Sequence, residues 1–130
     1  MINGIEVVCL CGSTRFADQH AIRRWELETQ GGGSVIVLMI NYLPHWWAAE
    51  QGWDGNDHFG ERSGMKEMLD ELHLRKIDMA DRVEVVNPDG YIGESTAKEI
   101  NYAWEQGKPV TFLGGPLQGP GLDILGQGRT

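Results

Sequence analysis

Short runs of apolar residues recur along the chain and predict the strands of a sheet. These runs span residues 5–11, 34–40, 82–87 and 109–114. Three of the four are nearly continuous and rich in β-branched residues, a pattern that is typical of strands buried on both faces. The sequence therefore predicts a buried, parallel sheet.

Longer segments with apolar residues at helical spacing separate these runs. They span residues 14–30, 63–79 and 96–106, with Ser63 placed to cap the second. Strand and helix alternate three times, which favours a doubly wound, Rossmann-like α/β fold with helices on both faces. We expect a single domain over residues 1–130, with the strands in the order two, one, three, four.

Composition and charge narrow the class of protein. The 130 residues carry a formal net charge of −8, which argues against a nucleic-acid partner because backbone phosphates require a basic surface. No apolar run has the roughly 20 residues of a membrane span, and the N-terminus lacks the basic start of a signal peptide. We therefore expect a cytoplasmic protein that does not associate with membranes.

The two cysteines, Cys9 and Cys11, are separated by one residue in the first predicted strand. A disulfide between such neighbours has unsuitable geometry, and a structural zinc site would need a second pair of ligands. We interpret both as small buried hydrophobic residues in a reducing compartment, and we expect no metal and no cofactor.

Residues 41–62 form an unusually long connection between the second strand and its helix. The connection contains five aromatic residues and two histidines, namely Tyr42, Trp46, Trp47, Trp53, Phe59, His45 and His58. One interpretation is a lid in which Trp46 and Trp47 contact a planar ligand. The alternative is an Ω-loop packed on its own aromatic residues or on a second subunit, and both remain open. Calcium binding is not expected, because Met65 stands where an EF-hand needs glutamate.

The loop after the first strand is the first candidate binding element, because ligands of open parallel sheets bind at the carboxyl ends of the strands. It reads Gly12-Ser13-Thr14-Arg15 and matches neither the P-loop nor the dinucleotide-binding motif. Gly12 permits a tight exit, and a helix start with Ser13, Thr14 and Arg15 can hold a phosphate or a sugar hydroxyl. The alternative is a plain serine or threonine N-cap.

The loop after the third strand leads to Glu99, the main catalytic candidate. Thr96 and Glu99 fit a capping box, in which Glu99 would bind the Thr96 amide. In the functional alternative, Glu99 faces the ligand crevice as a nucleophile or base, with Ser95 one turn earlier. Asp89 and Glu94 are further candidate carboxylates on the same loop. By contrast, Asp78 and Asp81 precede the third strand, and we interpret them as structural.

Several of these motifs together resemble one enzyme family. Residues 72–110 and the opening strand with Cys-Gly-Ser-Thr-Arg are similar to nucleoside 2-deoxyribosyltransferase-like proteins and the related deoxynucleoside-monophosphate N-glycosidases. The resemblance covers both ends of the chain but not residues 41–62. It is carried by Ala80-Asp81, Asp89-Gly90, Glu99, Tyr102-Ala103 and Gly107-Lys108-Pro109-Val110.

The resemblance implies a small flavodoxin-like fold and a function. Glu99 would attack C1′ of a nucleoside or nucleotide sugar, expel the base, and pass the sugar to another base or to water. The first loop would hold the 5′ end of the sugar or its phosphate. Gly93 stands where many members have an acidic residue, and we expect it to contact the substrate with Glu94 and Ser95.

Two further expectations accompany the resemblance. Members often complete the site from a neighbouring subunit, which implies a homodimer or a higher homo-oligomer. A non-catalytic nucleotide-binding module on the same fold remains an alternative, because a fold alone does not determine function.

Overall fold

The computed structural model describes residues 1–52 and 65–127. Its sheet has four parallel strands, which are β1 (Glu6–Cys11), β2 (Val35–Leu38), β3 (Arg82–Val85) and β4 (Val110–Phe112). They are ordered β2-β1-β3-β4 with parallel pairing throughout, which confirms the predicted order. Each strand is shorter than its apolar run, because the residues at the ends of the runs leave the ladder to enter turns.

The helices are α1 (Ala17–Gln30), α2 (His45–Glu50), α3 (Lys66–Met79) and α4 (Glu94–Glu105). A 3-10 turn at Thr14–Phe16 precedes α1. The helix α2 was not predicted, because a single turn and a half of helix carries little periodic signal. The predicted cap Ser63 lies outside the described residues. Within the described ranges, no helix is long and apolar enough to cross a membrane.

The helices pack on both faces of the sheet, as the alternation predicts. In β1, Cys9 and Cys11 face one core together with Ile77 of α3 and Ile100 of α4. The intervening residues Val8 and Leu10 face the second core, which includes Leu27 of α1. Alternate residues of a strand point to opposite faces, so the pattern of β1 places both cysteines under α3 and α4.

Buried amide side chains hold the loops at the carboxyl edge of the sheet. Asn87, which is 1% exposed, donates from Nδ2 to the Gly114 carbonyl and accepts from the Gly114 amide at Oδ1, over 3.1 and 2.8 Å. Asn101 of α4 likewise binds the backbone of Ile124 and Gly126, over 2.9 and 2.6 Å. These contacts fix the loops that follow β3 and β4 and dock the C-terminal segment on α4.

Asp81, Tyr102 and Lys108, which belong to the motifs that resemble the enzyme family, stabilise the fold through hydrogen bonds. The Asp81 carboxylate accepts the Val7 amide over 2.8 Å, and Lys108 Nζ donates to the carbonyls of Asp78 and Ala80 over 3.1 and 2.8 Å. The Tyr102 hydroxyl donates to the Asp78 carboxylate over 2.7 Å. Asp78 and Asp81 therefore have the structural roles that we predict for them.

Candidate active site

Glu99 lies in the second turn of α4, directly beside α3. Its Oε1 is 3.8 Å from Nε2 of His73, and its side chain is 15% exposed. The capping-box interpretation is wrong, because α4 begins at Glu94 with Gly93 at the N-cap position. Thr96 is consequently inside the helix and buried. Glu99 thus faces the α3 side of the sheet, where it is largely buried.

His73 joins Glu99 to the cysteines of β1. Its Nε2 is 3.3 Å from Sγ of Cys11 and 3.8 Å from Sγ of Cys9, and both thiols are free. The two cysteines are buried in the hydrophobic core, as predicted, and their thiols also contact the His73 imidazole. His73 carries no signal in the sequence, since it lies on α3, over 60 residues from the two cysteines.

These contacts change the acidity of each group. Burial raises the pKa of Glu99 to about 7, although the nearby His73 partly opposes this rise. Burial disfavours the charged form of His73, but Cys9 and Glu99 outweigh it and raise the pKa of the imidazole. The contact with Cys11, supported by His73, lowers the pKa of Cys9 to about 6 against the effect of burial. Several titrating groups therefore share one buried cluster, as is common at functional sites.

The first loop leaves β1 at Gly12, immediately after Cys11. A Cβ on Gly12 would lie 2.5 Å from the Val86 carbonyl oxygen and 3.0 Å from the His20 ring, so only glycine fits. Ser13 is the N-cap of the 3-10 turn, and its Oγ accepts the Arg15 amide over 3.2 Å. The plain-cap interpretation thus holds for Ser13, while Thr14 and Arg15 are exposed.

Tyr91 connects the first loop to the third. The Arg15 guanidinium lies 4.2 Å from the centre of the Tyr91 ring, within the range of a cation–π contact. Phe16 also packs edge-to-face on this ring. A Cβ on Gly93 would lie 3.6 Å from the Tyr91 hydroxyl, so the phenol sits against the N-terminus of α4. Tyr91 was not predicted as a site residue, because a single aromatic residue in a loop matches no binding motif.

The other candidates of the third loop lie at the surface. Asp89 is exposed in a 3-10 turn at Pro88–Gly90, where its φ is 57° and its carbonyl accepts Gln118 over 2.7 Å. Glu94 and Ser95 are exposed at the start of α4. Among the described residues, no hydrogen bond joins Asp89, Glu94 or Ser95 to Glu99.

Trp46 and Trp47 belong to α2 and are 66% and 38% exposed. The chain between β2 and α2 borders a cavity of about 330 Å³, a size at the lower end of small-molecule sites. The cavity is lined by Arg24, Val37, Leu38, Met39, Ile40, Asn41, Tyr42 and Lys76. Trp53, His58 and Phe59 lie outside the described residues, as does most of the predicted lid beyond α2.

Comparison with known proteins supports the fold. No protein-family model and no curated protein matches the chain. One similar solved structure is that of a 2-deoxyribosyltransferase from Bacillus psychrosaccharolyticus, with a TM-score of 0.53 and 15% identity. The match covers 86% of this chain and 76% of that chain. At this identity the likeness shows a common single-sheet α/β fold.

Proposed function

We propose that the protein cleaves the N-glycosidic bond of a nucleoside or a nucleoside 5′-monophosphate, with Glu99 as the nucleophile. The observation that carries this proposal is the buried Glu99 carboxyl group beside His73, close to the carboxyl end of β1. The fold is shared with a 2-deoxyribosyltransferase, which supports the same class of reaction here. The resemblance of the sequence motifs adds independent support.

In the proposed reaction, Glu99 attacks as the carboxylate. With a pKa of about 7 it is partly protonated at neutral pH, and His73 Nε2 at 3.8 Å is placed to take up its proton. A Glu99 oxygen then forms a bond to C1′ while the bond from C1′ to the base nitrogen breaks. The bonding electrons leave with the base, which is protonated as it departs. The product of this first step is a glycosyl ester of Glu99.

The second step releases the sugar with net retention of configuration. A second base, or water, attacks C1′ from the face that the first base has left, and the ester oxygen departs as the Glu99 carboxylate. We propose transfer to a base, in line with the enzyme of similar fold. Hydrolysis by water is the alternative, because about 15% of the Glu99 side chain is open to solvent.

In this proposal, the two loops that meet at Tyr91 would contact the substrate. Ser13, Thr14 and Arg15 would hold the 5′ end of the sugar or its phosphate, because Arg15 is the cation of the first loop. Gly93, Glu94 and Ser95 would border the sugar and base. Asp89 and Glu94 would orient the departing base by accepting hydrogen bonds from it, and the base takes its proton from solvent water.

Trp46 and Trp47 would cover the base, since aromatic faces stack on any nucleobase. We also propose that the protein assembles as a homodimer or larger oligomer, because the family that its motifs resemble often completes the site from a neighbouring subunit.

The test is incubation with a panel of nucleosides and their 5′-monophosphates, with and without an acceptor base. Released base and new nucleoside are separated by chromatography. Product nucleoside that appears only with acceptor supports transfer, and free base without acceptor supports hydrolysis. Binding without either product would contradict the proposal and favour a nucleotide-binding module.

A further inference from the structure

The cluster under α3 and α4 contains more donor atoms than the proposed chemistry uses. Sγ of Cys9, Sγ of Cys11 and Nε2 of His73 all lie within 4.8 Å of one another. The cysteine side chains are completely buried, and the His73 side chain is 5% exposed. Glu99 Oε1 reaches the same nitrogen from α4, at 3.8 Å. Two soft sulfur donors and one imidazole therefore converge on one point, and the Glu99 carboxylate lies next to the imidazole.

The distances from the His73 nitrogen to the two sulfurs match a tetrahedral metal site. Bond lengths of about 2.3 Å for Zn–S and about 2.0–2.1 Å for Zn–N place a sulfur and a nitrogen about 3.5 Å apart. The observed distances from His73 Nε2 to the two sulfurs are 3.3 and 3.8 Å, which bracket that value. A central ion therefore needs only small movements of His73 and the two cysteines, whereas the Glu99 carboxylate has to turn toward the sulfurs to bind the same ion.

The chemistry of the donors selects the ion. Thiolate and imidazole ligands favour zinc over magnesium or calcium, which prefer oxygen donors. Cys9 and Cys11 are alternate residues of β1 and therefore lie on the same face, so the backbone of one strand fixes the positions of both sulfurs. His73 presents Nε2 to both of them from α3, and its Nδ1 has no partner among the described residues. Nδ1 therefore remains able to carry the proton when Nε2 binds a metal.

We propose that Cys9, Cys11 and His73 bind a zinc ion, with Glu99 as the fourth ligand. In the bound state both cysteines are thiolates, Glu99 is a carboxylate and the imidazole is neutral, and every proton that these groups release on binding passes to solvent. No electron transfer takes part. An ion would enter the cluster past the Glu99 side chain, which is partly exposed to solvent.

This site has a consequence that rests on the proposed function. A Glu99 oxygen bound to zinc cannot attack C1′, so the ion and the glycosyl intermediate exclude each other. Zinc would then act as a reversible inhibitor, and the metal-free protein would be the active form.

The first experiment uses the wild-type protein, stripped with a chelator and kept reduced with a phosphine. Titration with Co²⁺ should give one equivalent of a species with intense thiolate-to-cobalt absorption and the visible bands of tetrahedral cobalt. Zn²⁺ should displace it. The chain has only two cysteines, so the sulfur band reports this cluster alone. Absence of the band would overturn the proposal without any variant.

The second experiment assigns the ligands by competition with a chromophoric zinc chelator. We expect Cys9→Ala and His73→Ala to weaken zinc binding at least about 100-fold, and Glu99→Gln about 10-fold with altered cobalt bands. The matched control is His45→Gln, which removes an exposed histidine. Affinity that changes equally in the control and in the cluster variants would overturn the site, provided circular dichroism shows that each variant is folded.

The two proposals can fail separately. If zinc binds as described but no base is released from any nucleoside, the metal site stands and the proposed reaction is wrong. If chelated protein releases base and Co²⁺ gives no sulfur band, the reaction stands and the metal site is wrong.

Discussion

Oε1 of Glu99 and Nε2 of His73 lie 3.8 Å apart, on two helices that pack against the same face of the sheet. His73 is the group through which the carboxyl of α4 and the thiols of β1 contact each other. Burial keeps the pKa of Glu99 near 7, so the carboxyl can gain and lose a proton at physiological pH. This relationship supports both the proposed nucleophile and the proposed zinc site.

Replacing Glu99 by glutamine separates catalysis from folding. Glu99→Gln retains the shape of the side chain but cannot form the glycosyl ester, so we expect base release to fall by several decades. Binding should persist, because the amide occupies the same volume. Steady-state kinetics and ligand-induced changes in Tm measure the two effects. Retention of more than about a tenth of the turnover, a change of only ~1.4 kcal/mol, would show that Glu99 is not the nucleophile.

The pH dependence of stability reports the burial of Glu99. Its pKa rises from 4.5 to about 7 on folding, so the folded state favours the protonated carboxyl. The associated stability is complete below about pH 4.5 and is lost as the pH rises through 7, by at most about 3 kcal/mol. Glu99→Gln does not titrate, so it should gain stability relative to wild type between pH 5 and 8. Urea unfolding at several pH values tests this.

The control for that measurement is Glu105→Gln, which alters an exposed carboxylate on the same helix. It should follow the wild-type curve. A parallel shift of both variants would mean that the effect comes from net charge and not from the buried carboxyl.

Arg15 should distinguish substrates with and without a phosphate. If the first loop binds a 5′-phosphate, Arg15→Ala raises KM for monophosphates by one to two decades, about 1.5–3 kcal/mol for a charge-assisted contact. Nucleosides should be almost unaffected. Arg75→Ala removes an exposed arginine that pairs with Glu71 on α3 and serves as the control. Equal losses for both substrate classes would indicate that Arg15 acts through its packing on Tyr91.

Tryptophan emission should report whether α2 contacts the base. Stacking on a nucleobase alters indole fluorescence, so we expect ligand addition to change the emission of the wild type. Trp46→Phe and Trp47→Phe should each reduce that change. Trp25→Phe, at an exposed position on α1, should leave it intact. An unchanged response in both α2 variants would favour an interface role for this segment.

Two glycines with similar positive φ angles should differ sharply in their tolerance of a side chain. Gly90 and Gly107 have φ values of 80° and 74°, so alanine is strained at both by roughly 1–2 kcal/mol. At Gly90 the new Cβ would also lie 1.8 Å from the Pro116 carbonyl oxygen, whereas nothing lies within 4 Å at Gly107. Gly90→Ala should therefore lower Tm much more than Gly107→Ala. Similar losses would mean that the loop relaxes around the added atom.

The strand order and the layering were predictable from the sequence, because both depend on local patterns. The continuous apolar run of β1 and its neighbours requires burial on both faces, and alternation with helices allows few arrangements of a parallel sheet. The tight exit of the chain at Gly12 was also predictable, since a glycine directly follows the strand.

The environment of Glu99 was decided by tertiary structure. In the sequence, Glu99 fits a capping box with Thr96, and the start of α4 at Glu94 rules this out. Cys9, Cys11 and His73 have no common motif, because they come from a strand and a helix far apart in the chain. Only the packing of α3 and α4 on one face of the sheet brings an imidazole between thiols and a carboxyl. Burial and charge at such a point depend on distances in space, which spacing along the chain does not encode.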